Sequence, residues 1–163
     1  MSKYYLAIDP GTTSLGWALL RVGRYKKIYL EKSGILQAKG DIGKRLKIMY
    51  DGIDAIFSSV TIPSCIFVED YFVHNRKGSK AIPYIHGIIY LAVENHYNPD
   101  IPIKIVNPGS AKKAATGSGV ASKSEVKESI TELYPKLKNK KIQDEFDAIA
   151  IGLAGIRNEE KTI

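Results

Sequence analysis

Apolar and polar positions change their period along this chain. Residues 3–8 form a short, largely apolar run that stops at Asp9-Pro10-Gly11, a turn signature. Residues 14–22 (Ser-Leu-Gly-Trp-Ala-Leu-Leu-Arg-Val) predict a second strand, and 26–36, rich in Ile, Tyr and Leu, a third. Three strands in a row with short turns predict an antiparallel meander. The period then lengthens. Ile42, Leu46, Met49, Tyr50, Ile53, Ile56, Phe57 and Val60 recur at three- and four-residue steps, one face of an amphipathic helix over about residues 41–60. Residues 65–69 are a wholly apolar run ending at Glu69, which suits a strand covered on both faces.

A polar loop, His74-Asn75-Arg76-Lys77-Gly78-Ser79-Lys80, leads to a predicted helix over 82–96 with Pro83 near its first turn. A fifth strand over 103–106 closes at Asn107-Pro108-Gly109. Helices over about 109–116, 123–134 and 143–157 complete the chain, the first two separated by Thr116-Gly117-Ser118-Gly119. The order β β β α β α β α α α predicts an α/β domain: a mixed sheet with helices on both faces.

Composition narrows the picture. The 163 residues fit one domain, taken as residues 1–158 with a short polar tail over 159–163. No apolar run reaches the ~18–20 residues needed to span a bilayer, and a carboxylate interrupts the first apolar stretch, so neither a membrane partner nor a signal peptide is expected. The single cysteine, Cys65, lies in an apolar run and permits no internal disulfide, which fits a cytoplasmic setting. A net charge of +7 tilts toward a polyanionic partner.

The candidate chemistry lies in four carboxylates. Asp9 and Glu69 end the first and fourth predicted strands. Sites in open α/β sheets form outside the carboxyl ends of parallel strands, where strand order reverses. If these two strands are neighbours, their backbones lie about 4.8 Å apart and both carboxylates project from one edge. Asp144 and Asp147 share a face at the start of the last helix, where the helix dipole favours negative charge. Singly, each has a plain structural reading: a turn aspartate, a strand-end charge, a helix cap. Together they form an oxygen-only ligand set that favours Mg²⁺ or Mn²⁺ over zinc. His74, His86 and His96 are scattered and compete with no such cluster.

The motifs now have a family likeness. Ile8-Asp9-Pro10-Gly11-Thr12, Phe67-Val68-Glu69-Asp70 and Asp144-Glu145-Phe146-Asp147-Ala148 resemble three motifs of RuvC-type junction resolvases, in order and at the right spacing. Asn107-Pro108 through Lys112-Lys113, Thr116-Gly117-Ser118-Gly119 and Ser122-Lys123 resemble the basic segment between them, and Arg45-Leu46 with Tyr50-Asp51-Gly52 resembles the first long helix. Asp70 and Lys113 depart from the pattern by adding charges. The resemblance implies a ribonuclease H-like fold with a five-stranded sheet in order 3-2-1-4-5, strand 2 antiparallel. It implies a homodimeric, metal-dependent endonuclease that makes paired nicks in four-way (Holliday) junctions. Asp9, Glu69, Asp144 and Asp147 become the catalytic and metal-binding set, with two Mg²⁺ per site and Mn²⁺ as a substitute. Lys112 and Lys123 fall near the scissile phosphate, and Phe72 on junction bases.

Physical reasoning on the residues supports this. Phosphodiester hydrolysis needs a nucleophile, neutralised charge and a stabilised leaving oxygen, which two metals about 3.5–4 Å apart can provide. With the four carboxylates set aside, 13 acidic residues face 24 basic ones, and the remainder carries +11. An acidic pocket in a basic field is what a nuclease needs. Lys112, Lys113 and Lys123 flank a Gly/Ser turn; Tyr71 and Phe72 could stack on an unpaired base; Arg76, Lys77 and Lys80 are candidate backbone contacts. Each also reads as a solvated loop or ordinary packing. The helix over 82–96 carries more apolar positions than one core-facing stripe requires and is the candidate dimer interface. Three rivals stay open: an ATPase of the actin and sugar-kinase superfamily, whose two lobes need a longer chain; an inactive junction-binding protein; and a related nuclease acting on other branched DNA or RNA.

Overall fold

The computed structural model describes residues 2–71, 81–97 and 101–161. Strands β1 (Lys3–Asp9), β2 (Ser14–Val22) and β3 (Ile28–Gln37) form the meander, followed by α1 (Ile42–Ser59), β4 (Cys65–Glu69), α2 (Ile82–His96), β5 (Ile103–Val106), α3 (Pro108–Thr116), α4 (Lys123–Leu133) and α5 (Gln143–Lys161). The sheet order is β3-β2-β1-β4-β5. β2 is antiparallel to both β1 and β3, whereas β1, β4 and β5 run parallel. The order and directions match the expectation.

Alternation along the strands divides the interior into two layers. Tyr5, Ala7, Ala18, Leu20, Cys65 and Phe67 face α3, α4 and α5. Leu6, Ile8, Leu15, Leu19, Ile66 and Val68 face α1 and α2. The α5 layer is built for close approach. A Cβ on Gly152 would lie 2.0 Å from Leu20 Cδ1, and one on Gly155 would lie 2.4 Å from the Phe67 ring. Beside these glycines α5 presents Ala148, Ile151 and Ala154 to the same buried layer.

Two boundaries differ from the sequence reading by two residues or more. β3 begins at Ile28 rather than 26, because Arg24–Lys26 form a 3₁₀ turn in which Tyr25 and Lys26 take left-handed backbone (φ 57° and 59°). The polar tail expected over 159–163 is corrected through Lys161, which ends α5. No Gly or Pro intervenes after Gly155, Glu159 pairs with Lys104 of β5 at 2.5 Å, and Lys161 suits the negative end of the helix dipole.

Among the described residues no helix is long and apolar enough to cross a membrane. Cys65 is buried, and burial pushes its thiol up to about 11, so it is no nucleophile.

Candidate active site

The same alternation that sorts the core aims the site. Asp9 follows Tyr5 and Ala7 at steps of two, and Glu69 follows Cys65 and Phe67, so both fall on the α5 side of the sheet. Ile8 pairs with Val68, and the next residues of these parallel strands are Asp9 and Glu69. On the other side, Asp9 pairs with Gly16 of β2.

Gly16 admits α5. A Cβ there would stand 1.8 Å from the Asp144 carbonyl oxygen. Because β2 has no side chain at that point, the first turn of α5 rests directly on it. Asp9, Asp144 and Asp147 can then each offer a carboxylate oxygen within 4.8 Å of the other two. Glu69 stands across a cavity of about 210 Å³ that it lines with Asp9, Asp147, Lys112, Lys123, Pro108 and small apolar residues of α3, α4 and α5. Asp144 lies behind the cavity wall, its carboxylate accepting from the Ser14 hydroxyl.

Electrostatics follow from this crowding. Burial, then the charges of Glu69, Asp147 and Asp144, push the Asp9 carboxyl up to about 8, against the pull of Lys123. Burial and then Asp147 push Glu69 up to about 7, against Lys123 and Lys112. A half-buried set of oxygen donors that repel one another fits a hard divalent cation.

The rim is basic. α3 and α4 each bring their first residue, Pro108 and Lys123, to the cavity, so two positive helix ends open on it. Asn107 caps α3, accepting from Gly109 N at 2.8 Å. Ser122 and Glu125 form a capping box on α4. The turn between the helices is ordered: Gly117 is left-handed at φ 87°, and the Thr116 hydroxyl bonds both Lys112 O and Ser118 O. The segment is thus an ordered connection whose turn residues remain exposed. Lys123 lies 3.6 Å from Asp147, with 71% of its side chain exposed, so it keeps most of its hydration.

Other predicted residues separate. Lys113 points to the opposite flank of α3, into a different groove. Tyr71 is outside the cavity, its ring edge against His86 at 5.0 Å between centroids. Phe72, Arg76, Lys77 and Lys80 lie outside the described residues, as does His74. His96 pairs with Asp54 at 2.8 Å and His86 is buried in α2, so neither joins the carboxylates.

Two residues of the site escaped the sequence reading. Ser14 holds Asp144, and Gln143 donates to Asp147 Oδ1 at 2.8 Å and to the Lys123 carbonyl at 3.3 Å, tying α5 to α4. Gln143 adjoins the acidic motif, which was a usable signal; Ser14 looked like any strand-initial residue. Glu145 turns the other way, buried, accepting from Ser33 at 2.7 Å.

The sequence profile of the crossover junction endodeoxyribonuclease RuvC family matches residues 5–155. The chain belongs to the RuvC family. The RuvC of Chlamydia trachomatis serovar L2 is 30% identical over 158 residues, spanning 94% of this chain and 91% of that protein. The RuvC of Sodalis glossinidius is 30% identical over 149 residues, 91% of this chain and 83% of its own. In three dimensions the chain superposes on Thermus thermophilus RuvC in complex with a Holliday junction substrate with a TM-score of 0.81 at 20% identity, covering 98% of this chain and 97% of that one. This likeness establishes the RuvC, ribonuclease H-like fold.

Proposed function

We propose that this chain resolves four-way DNA junctions by metal-dependent phosphodiester hydrolysis, with Asp9, Glu69, Asp144 and Asp147 as its catalytic and metal-binding residues. One observation carries the assignment of residues: three carboxylates converge within 4.8 Å beside a cavity that the fourth completes and two lysines rim. Membership of the crossover junction endodeoxyribonuclease family, and a fold shared with a RuvC that binds a Holliday junction, support the substrate.

Asp9, Asp144 and Asp147 would hold one Mg²⁺, and Glu69 would join Asp9 in holding a second; Mn²⁺ would substitute. Ions held there supply charge neutralisation at the phosphate and help form the nucleophile and release the leaving oxygen. The protein's own contribution is positioning. Lys112 and Lys123 hold the phosphates of the strand being cut, aided by the two helix ends. Ser14 and Gln143 fix the carboxylates of Asp144 and Asp147, so less reorganisation accompanies loading.

Two cuts in symmetry-related strands need two such sites, hence a homodimer about a two-fold axis. α2 suits the interface: Tyr84, Tyr90 and Leu91 are about half exposed while Ile85 and Ile89 are buried in the core. A cytoplasmic setting and aromatic contacts from Tyr71 and Phe72 to junction bases belong to the same reading.

The test is cleavage of four-way, three-way, flap and linear duplex substrates, in Mg²⁺ and in EDTA. Paired symmetric nicks in the four-way junction, in Mg²⁺ alone, are expected. Equal cutting of linear duplex, or cutting undiminished in EDTA, would refute the proposal.

A further inference from the structure

A second groove of about 360 Å³ runs between α3 and the distal half of α5, lined by Ser110, Lys113, Gly117, Arg157, Asn158 and Lys161 with two alanines. Its lining has three cations and, among the described residues, no carboxylate. The acids next along α5 lie outside its lining: Glu159 pairs with Lys104, and Glu160 lines a neighbouring cavity to which Arg157 also contributes. Arg157 is anchored, one guanidinium N–H donating to the Ala114 carbonyl at 2.6 Å, which leaves the rest of its fork to other acceptors. The side chains of Lys113 and Lys161 make no hydrogen bond or ion pair with the described residues. A concave surface that gathers three cations with no carboxylate in its described lining favours an anion.

Its place in the fold says which anion. Lys112 faces the carboxylate cavity and Lys113, the next residue on α3, faces this groove. Both depressions also share α5: Asp147 and Ala150 line the first, Ala154, Arg157 and Lys161 the second. Along a helix, Asp147 to Arg157 is about 15 Å and Asp147 to Lys161 about 21 Å. For a duplex arm lying along α5, at about 3.4 Å of axis per nucleotide, that span is roughly four to six nucleotides. We infer that this groove binds backbone phosphates of the junction arm four to six nucleotides from the scissile phosphate, with Lys113, Arg157 and Lys161 as its cations.

The inference rests on the junction-resolving reading above. It gives Lys113, expected from sequence only as a DNA-binding residue, a place on the arm. These residues serve substrate positioning and touch no reacting atom.

The experiment is a cycle between protein and DNA. The double substitution Lys113→Gln with Lys161→Gln leaves the Arg157 anchor intact, and its melting temperature should match the parent. Junction affinity is measured against salt for both proteins. The test substrate carries neutral methylphosphonate linkages four to six nucleotides from the cut, and a control junction carries them near the arm's end. In the parent, the inner neutral linkages should weaken binding about tenfold, and the double substitution should lower the salt slope by about 2. In the variant the inner linkages should weaken binding clearly less than in the parent, because only the Arg157 contact remains. An unchanged slope, or equal weakening of both proteins by the inner linkages, would overturn the groove assignment while leaving junction resolution standing. A parent protein with no junction affinity at all would remove the junction reading itself and this inference with it. Preferential capture of acidic peptide over junction DNA would overturn it in favour of a protein partner.

Discussion

The two faces of the sheet bury neighbouring residues of the same strands but are packed differently. Toward α1 and α2, strand residues such as Leu6, Ile8, Leu15, Leu19, Ile66 and Val68 meet Met49, Ile53, Phe57, Ile85 and Ile89. Toward α5, Ala7 and Ala18 meet a helix carrying Ala148, Gly152 and Gly155, and Gly16 admits the helix backbone itself. Large branched side chains fill space and tolerate rearrangement. Glycine and alanine leave no such slack, so they fix where the helix backbone lies. The carboxylates sit on the close-packed side, where an error of an ångström matters. The other face supplies stability and carries none of the four carboxylates.

Asp9→Asn should break this contrast most severely on the site side. It keeps the shape and removes the charge nearest the centre of the cluster. Cleavage is expected to fall at least about 10³-fold, with junction affinity retained because no lysine is lost. Met49→Leu, on the other face, should alter stability by less than about 1.5 kcal/mol and leave cleavage unaffected. Single-turnover nicking and gel-shift titration of both variants, side by side, decide the matter. Substantial cleavage by Asp9→Asn removes Asp9 from the catalytic set.

The crowded face should also make metal-free stability depend on pH. Asp9 is raised from 3.8 to about 8 and Glu69 from 4.5 to about 7. The folded protein therefore keeps protons that the unfolded chain has already released. Their favourable contribution is complete below about pH 4 and is lost as pH rises through about 7 and 8. Thermal melting in EDTA from pH 5 to 9 should show a falling midpoint, flatter in Asp9→Asn, and Mg²⁺ should restore stability at the alkaline end. A midpoint that rises across this range in EDTA contradicts the assigned shifts.

Gly16→Ala sharpens the comparison from the backbone side. The added methyl cannot coexist with the Asp144 carbonyl, so the first turn of α5 must lift away from β2. A misplacement near 1 Å can cost about 10²-fold in rate, and that loss is expected here with the protein still folded. Nicking rates normalised to the folded fraction from circular dichroism test it. Parental activity would mean that α5 can shift without moving Asp144.

Most of this architecture was readable in advance because its signals are local. The strand runs, the 3.6-residue periodicity of α1, and the carboxylates at element ends are short-range patterns, and the topology rules join them. The longer contacts were hidden. Ser14 and Asp144 meet across 130 positions of chain, and no spacing rule joins a strand hydroxyl to a distant helix. Lys112 and Lys113 part for a rotational reason. Adjacent residues on a helix differ by about 100°, so Lys112 and Lys113 face different depressions, although the sequence presents them as a pair. The end of α5 was missed because Glu159 and Lys161 look like a solvated tail until β5 supplies Lys104.

The smallest expected effect concerns the lysines at the cavity rim. Lys112 and Lys123 lower the Glu69 carboxyl against its burial, and Lys123 stands 3.6 Å from Asp147. Without metal, then, these cations are partly engaged by the protein's own acids. A divalent ion taking up those carboxylates would free the lysines for phosphate. Lys112→Ala and Lys123→Ala should each reduce the magnitude of the salt slope of junction binding by about 1 when measured in Ca²⁺, a hard cation that also takes oxygen ligands. In EDTA, with the carboxylates uncompensated, the reduction should be smaller. Affinities titrated across 50–200 mM salt in both conditions give the four slopes required. Equal reductions with and without cation would show that the lysines reach DNA independently of the carboxylates. No reduction in either condition would return both to the solvent-exposed rim.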